Sequence, residues 1–242
     1  TTASASSELT VAAAAALQNA FSDIARLFEE ENGCRVVLSF GSTGQLAKQI
    51  EHGAPVDLFA AADVTHIDSL RAKNLILADS QQLYGRGRIV VAVNEKSGVR
   101  ATQLEDLLGA DIKYVAIANP GHAPYGVAAK QALEHQGLWS ALEPKLVFGE
   151  NVRQSMQYVQ TGNAEAGIVA LSVAQLPGVQ YTLIDESWYA PLDQAIAIVA
   201  GTKQENLARQ FIRFLNGPEG RPIMKNYGFL LPEEIQFDER TH

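Results

Sequence analysis

Short β-prone runs and amphipathic helical stretches alternate along almost the whole chain, and that alternation limits the folds open to it. Leu9–Ala13, Arg35–Phe40, Val56–Ala61, Arg88–Val93, Val115–Ala118, Leu146–Phe148, Ala166–Ala170, Tyr181–Ile184 and Gln194–Val199 read as strands. Between them lie helical patterns at Leu17–Glu31, Gln45–His52, Val64–Lys73, Gln103–Leu108, Gly126–Gln136, Val152–Thr161 and Asn206–Leu215. In the first helix Leu17, Phe21, Ile24, Leu27 and Phe28 recur at spacings of three and four, and Asn32-Gly33 supplies a stop. Strands separated by helices of this length call for parallel pairing with helices on both sheet faces, so the expected class is α/β. Roughly ten strands are too many for one comfortable doubly wound sheet, and two open sheets fit better.

Four of the strand-to-helix junctions are built from small residues. They are Ala13–Gln18, Phe40–Gly44, Pro120–Gly126 and Gly149–Arg153. A helix start leaves backbone N–H groups without partners and carries partial positive charge, which makes it an anion site. In Gly41-Ser42-Thr43-Gly44, Ser42 or Thr43 can cap the following helix while the glycines admit close approach. The stretch Asn119–Gly126 is stiffened by Pro120 and Pro124 and ends with Tyr125 in a first helical turn. Asn151 is a good N-cap, and Arg153 is expected to form an exposed ion pair with Glu150. Small side chains at Ala12–Ala16 are expected to leave the backbone there accessible from outside.

Composition removes several functions. A net charge of −8 in 242 residues leaves no basic stripe to neutralise phosphates, so a nucleic-acid partner is not expected. An anion would also be repelled at long range; salt screens that repulsion beyond about 8 Å, and binding must rest on local donors. The lone Cys34, in an apolar run, reads as a packed residue and rules out an intrachain disulfide. His122 has no second histidine or cysteine nearby, so no protein–metal ligation is expected. There is no catalytic triad, no His-Glu-x-x-His and no Gly-x-Gly-x-x-Gly. Ser42 or Thr43 as a hydrolytic nucleophile is the alternative from another class, and no partnering base is evident. No apolar run approaches the roughly 20 residues that span a bilayer. Residues 1–7 are small, polar and flexible in character, which suits a trimmed mature chain, one tethered upstream, or equally an expression remnant, and 233–242 read as a second flexible tail.

In combination these segments resemble the molybdate/tungstate-binding proteins of ABC uptake transporters, from about Glu8 to Pro232. The resemblance rests on Thr10–Leu17, Ser39–Ala47, Gly53–Asp63, Ala118–Gly126, Glu150–Arg153, Gly217–Gly220 and Tyr227–Phe229. It implies a two-lobed periplasmic-binding-protein fold of type II with an oxyanion in the interlobe cleft. The first lobe would comprise residues 8–88 and 198–232 and the second 89–197. It implies Thr43 as a hydroxyl ligand, Tyr125 and Val152 as backbone N–H donors, Ala16 as a further N–H donor, and Ser42 beside them. Ala16 stands where the family usually carries Ser or another polar residue, and Ala170 where some members place a ligand-contacting Tyr. The resemblance further implies an extracytoplasmic, monomeric, non-enzymatic carrier without a cofactor, whose partner is a membrane permease. Sulfate or phosphate is the alternative ligand.

Overall fold

A computed structural model describes residues 7–238. Along the chain the strands are β1 (Glu8–Ala14), β2 (Arg35–Gly41), β3 (Leu58–Ala60), β4 (Gln82–Gly87), β5 (Ile89–Asn94), β6 (Val115–Ala118), β7 (Leu146–Gly149), β8 (Ala166–Ala170), β9 (Val179–Leu183) and β10 (Leu192–Ile198). The helices are α1 (Gln18–Asn32), α2 (Thr43–Glu51), α3 (Thr65–Ala72), α4 (Pro124–His135), α5 (Trp139–Leu142), α6 (Val152–Gln160), α7 (Leu171–Ala174), α8 (Glu205–Leu215), α9 (Gly220–Asn226) and α10 (Pro232–Asp238). The strands form two five-stranded sheets, β2-β1-β3-β10-β4 and β7-β6-β8-β5-β9.

The chain divides into two units. The first holds the described residues up to Gly85, with Asp193–Asn226 and those from Leu230 on; the second holds Arg86–Leu192 and Tyr227–Phe229. This differs from the expected division. β10, expected to lie in the second lobe, hydrogen-bonds to β3 and so belongs with the first sheet. Tyr227–Phe229, expected in the first lobe, joins the second unit, where the Arg88 guanidinium holds the Gly228 carbonyl. Nor is 233–238 a tail: it is helical, with Ile235 buried. Pro232 at the first position and Glu233 and Glu234 in the first turn favour a helix start there. Residues 1–6 and 239–242, also expected to be flexible, lie outside the described residues.

In the first unit β1 pairs in parallel with both β2 and β3, whereas β10 runs antiparallel to β3. In the second, β6 is parallel to β7 and β8, and β5 is antiparallel to β8 and β9. The sheets are therefore mixed rather than parallel throughout. β5 and β10 are the strands by which the chain enters each sheet from the other unit. No helical crossover within one sheet dictates their direction.

Burial follows the sequence pattern. α1 turns Phe21, Ile24 and Phe28 inward and stops at Gly33, whose φ of 59° suits glycine. α8 supplies Phe211 and Phe214 from the far end of the chain. Phe211 meets Phe21 at 5.9 Å and Phe28 at 5.2 Å between ring centroids, both edge-to-face, and Phe28 also meets Phe214 at 5.5 Å. In the second unit β5, β6 and β8 are buried along nearly their whole length, which explains their unbroken apolar character.

Truncating Phe211 to Ala removes a fully buried ring that bridges α1 and α8. A loss of about 3–5 kcal/mol in urea-unfolding free energy is expected. A loss below about 1 kcal/mol would show that the aromatic cluster does not hold the first unit together.

Candidate functional site

Three parallel strands of the first unit end side by side. Ala14 of β1 lies opposite Gly41 of β2, and Ala13 opposite Ala60 of β3. The carboxyl ends of adjacent parallel strands are where α/β sheets bind ligands, because helix starts gather there. β1 runs into a 3-10 turn, Ala15–Leu17, and then α1. β2 runs through Ser42 into α2, whose first residue is Thr43. Ala16, Ser42 and Thr43 are all buried. Contrary to the expected accessible backbone, Ala12–Ala16 are buried, and their small side chains let β1 pack tightly between its neighbours.

Neither Ser42 nor Thr43 caps α2 with its side chain. Thr43 instead reaches across to the end of β3, where its Oγ1 accepts the Ala62 N–H at 2.9 Å. That bond uses a lone pair and leaves the hydroxyl hydrogen to donate elsewhere. Beside it, Tyr84 Oη lies 2.7 Å from both the Ala61 carbonyl and Oε1 of the fully buried Gln194. Thr43 is thus set in a buried polar network that fixes the β3 end.

The second unit repeats the layout. Ala118 of β6 lies opposite Gly149 of β7, and β8 ends beside them at Ala170. After β6 the loop folds on Asn119, whose carbonyl accepts the Ala123 N–H at 2.9 Å and whose Oδ1 accepts that of Gly121 at 2.8 Å. Pro124 opens α4, and Tyr125 follows, buried. A Cβ on Gly126 would overlap the Ala118 carbonyl, so glycine lets the first turn of α4 sit on the end of β6. After β7, Asn151 caps α6 by accepting the Gln154 N–H at 3.0 Å, and Gln154 Oε1 accepts the Glu150 N–H at 2.7 Å. Gln154 thus ties down the residue before the cap, and the two bonds together place Val152 at the helix start.

The charged neighbours are less available than sequence suggested. Asp63 follows Ala62, but its Oδ2 holds His66 Nδ1 at 2.7 Å and its Oδ1 accepts the His66 N–H at 3.1 Å. That hydrogen bond raises the His66 pKa above its ordinary value, against the opposing effect of burial. Glu150 and Arg153 are both exposed. Cys34 is buried, and burial pushes its thiol pKa up, as in an inert packed cysteine. Among the described residues no group of three His, Cys, Asp or Glu side chains is placed to hold a metal ion. A hollow of about 510 Å³ lined in part by Pro55, Asp57, Val199 and Thr202 adjoins the start of β3 and touches none of the four junctions.

Known proteins carry the same arrangement. Residues 9–230 match the family described as bacterial extracellular solute-binding protein. The molybdate-binding protein ModA of Azotobacter vinelandii is 37% identical over 226 residues, covering 92% of this chain and 89% of that protein. ModA of Escherichia coli strain K12 is 37% identical over 234 residues, covering 93% and 89%. The structure of the Azotobacter vinelandii periplasmic molybdate-binding protein superposes with a TM-score of 0.87 at 32% identity, covering 93% of this chain and 99% of that one. The chain belongs to the bacterial extracellular solute-binding protein family.

The Asp63–His66 pair gives stability a pH dependence of known sign. A histidine with a raised pKa contributes fully below its unfolded value of 6.5, and the contribution fades as pH rises through the folded-state pKa. Urea melts of the unaltered protein and His66→Gln should differ more at about pH 5.5 than at about pH 9. A gap that widens with pH would contradict the pairing.

Proposed function

We propose that this protein binds molybdate or tungstate outside the cytoplasm and delivers it to the membrane permease of an ABC importer. The observation that carries this reading is chemical. Both units bring helix starts to the carboxyl ends of parallel strands, and Asp63, which follows the end of β3, is engaged by His66. Such a surface offers donors to a fully ionised oxyanion and no acceptor to a protonated one. The names of the relatives point to the same solute.

The ligand set we propose is the backbone N–H groups of Ala16, Tyr125 and Val152, the Thr43 hydroxyl, and Ser42. Thr43 suits a donor's role because its oxygen is already held by the Ala62 amide. That bond to a backbone amide speaks against Thr43 as a hydrolytic nucleophile, since among the described residues no imidazole or carboxylate is hydrogen-bonded to its hydroxyl. Each hydrogen bond to a charged oxygen contributes about 1.5–3 kcal/mol net. Several together, less ordering costs, reach roughly −8 kcal/mol, which is micromolar affinity. Protonated phosphate would need an acceptor. Sulfate is ionised but smaller, so discrimination against it falls to the size of the site. The carrier acts as a monomer, and the oxyanion is cargo rather than cofactor.

Calorimetry should show micromolar or tighter binding of molybdate and tungstate and far weaker binding of sulfate. Equal or stronger sulfate binding would overturn the assignment. Thr43→Ala should weaken molybdate binding by about 1–3 kcal/mol, with Thr43→Ser close to the unaltered protein. An unchanged affinity in Thr43→Ala would remove Thr43 from the site.

A further inference from the structure

A hollow of about 400 Å³ opens on the second unit and touches none of the four junctions. It lies where β5 and β9 pair, with Val91 opposite Thr182, at the edge strand of their sheet. Its floor is apolar: Val91, Leu104 and Ile184 line it and are buried. Trp188, half-buried, supplies an aromatic wall, and Glu105 and Asp185 stand exposed at the rim.

Both segments that flank this floor are tied down. Before the 3-10 turn Leu104–Leu108, the Thr102 and Gln103 N–H groups each donate to Asp106 Oδ2 at 3.0 Å. After β9, Asp185 Oδ1 accepts the Ser187 hydroxyl at 2.7 Å and the Ser187 N–H at 2.9 Å. Those bonds, with a smaller contribution from the His135 charge, hold the Asp185 pKa below its ordinary value, so the group is ionised at neutral pH. The Trp188 N–H donates to the Asp185 carbonyl at 3.1 Å, and the Ala190 N–H to Gln131 Oε1 of α4 at 3.0 Å. His135 of α4 stacks on Trp188, with ring centroids 6.0 Å apart and planes 18° from parallel. A hollow fixed in this way needs little ordering when it fills.

The sign of its charge is uniform. The sequence has no Lys or Arg between Arg100 and Lys113, and none between Arg153 and Lys203. The two segments that carry Glu105 and Asp185 therefore bring carboxylates and no cation of their own. Carboxylates and the face of an indole both attract positive charge, while the apolar floor is best covered by hydrocarbon. The volume lies within the roughly 300–1,000 Å³ of small-molecule sites. We propose that this hollow binds a small organic cation: an amine, amidine or guanidine head held by Glu105 and Asp185, on an apolar or aromatic body packed against Val91, Leu104 and Trp188. The proposal is independent of the oxyanion reading, and molybdate does not enter its test.

The test uses the full chain with Trp139→Phe, which leaves Trp188 as the sole tryptophan. Its fluorescence is titrated with benzamidinium, with neutral benzamide of the same shape, and with benzoate. Benzamidinium should give a saturable change, benzamide should bind at least about tenfold more weakly, and benzoate should not saturate. Glu105→Gln should weaken benzamidinium by about threefold to fivefold, the scale of one exposed ion pair. Thr182→Tyr should fill the hollow and abolish saturation while the urea-unfolding midpoint stays close to that of the parent, since an aromatic residue suits a strand. Benzamide binding within about twofold of benzamidinium would overturn the proposal, because charge would then play no part. So would undiminished benzamidinium binding in a folded Thr182→Tyr chain. Should Thr182→Tyr fail to fold, Glu105→Gln decides, and an unchanged affinity there overturns the proposal. A saturable response to a basic extended peptide with none to benzamidinium would make the hollow part of a protein interface and would overturn it too.

Discussion

The structure depends on what happens to backbone N–H groups where a strand hands over to a helix. Each helix start has amides without intrahelical acceptors, and a buried amide without a partner is costly. Here the junctions after β1, β2, β6 and β7 are assembled in register, two by two, because their strands are parallel neighbours. Small residues make that possible. Gly126 and Gly149 permit contacts with Ala118 and Ser155 that a side chain would block, and the alanine run lets β1 fit between β2 and β3.

Charge then decides what such a surface accepts. The chain is acidic overall, yet its net charge says little about the proposed site of amides and a hydroxyl. What matters is whether an unpaired carboxylate stands nearby. Asp63 is engaged at both oxygens, by the His66 ring and by its amide, and Glu150 is exposed to water. Neutral donors in a poorly hydrated setting suffice for a dianion, and they leave a protonated guest without an acceptor.

Much of this was legible in the sequence, for an identifiable reason. The Asn151 cap, the Gly33 stop and the inward faces of α1 and α8 depend on residues a few positions apart, and local patterns report them. The bond from Ala62 to Thr43, the Tyr84–Gln194 contact and the Arg88 clamp join residues far apart in the chain, and no spacing rule encodes them. β4 escaped notice because Gly85 and Gly87 interrupt its pattern. The Gln154 reach-back to Glu150 was different. Asn151 followed three residues later by Gln154 is a readable signature of a helix start, although Gln154 reaches the Glu150 amide rather than that of the cap. The antiparallel entry of β5 and β10 follows from chain passage between units, which pattern reading does not see.

The aromatic cluster has a consequence for the order of assembly. Phe21 and Phe28 are made before the second unit, but the rings they pack against, Phe211 and Phe214, leave the ribosome only after Arg86–Leu192 has done so. β10, which closes β3 on one side, also arrives late. The unit that begins first is therefore completed last, while nearly all of the second unit is one uninterrupted stretch that can condense in the meantime. A nascent chain of this design keeps its first unit open until β10 and α8 have been made.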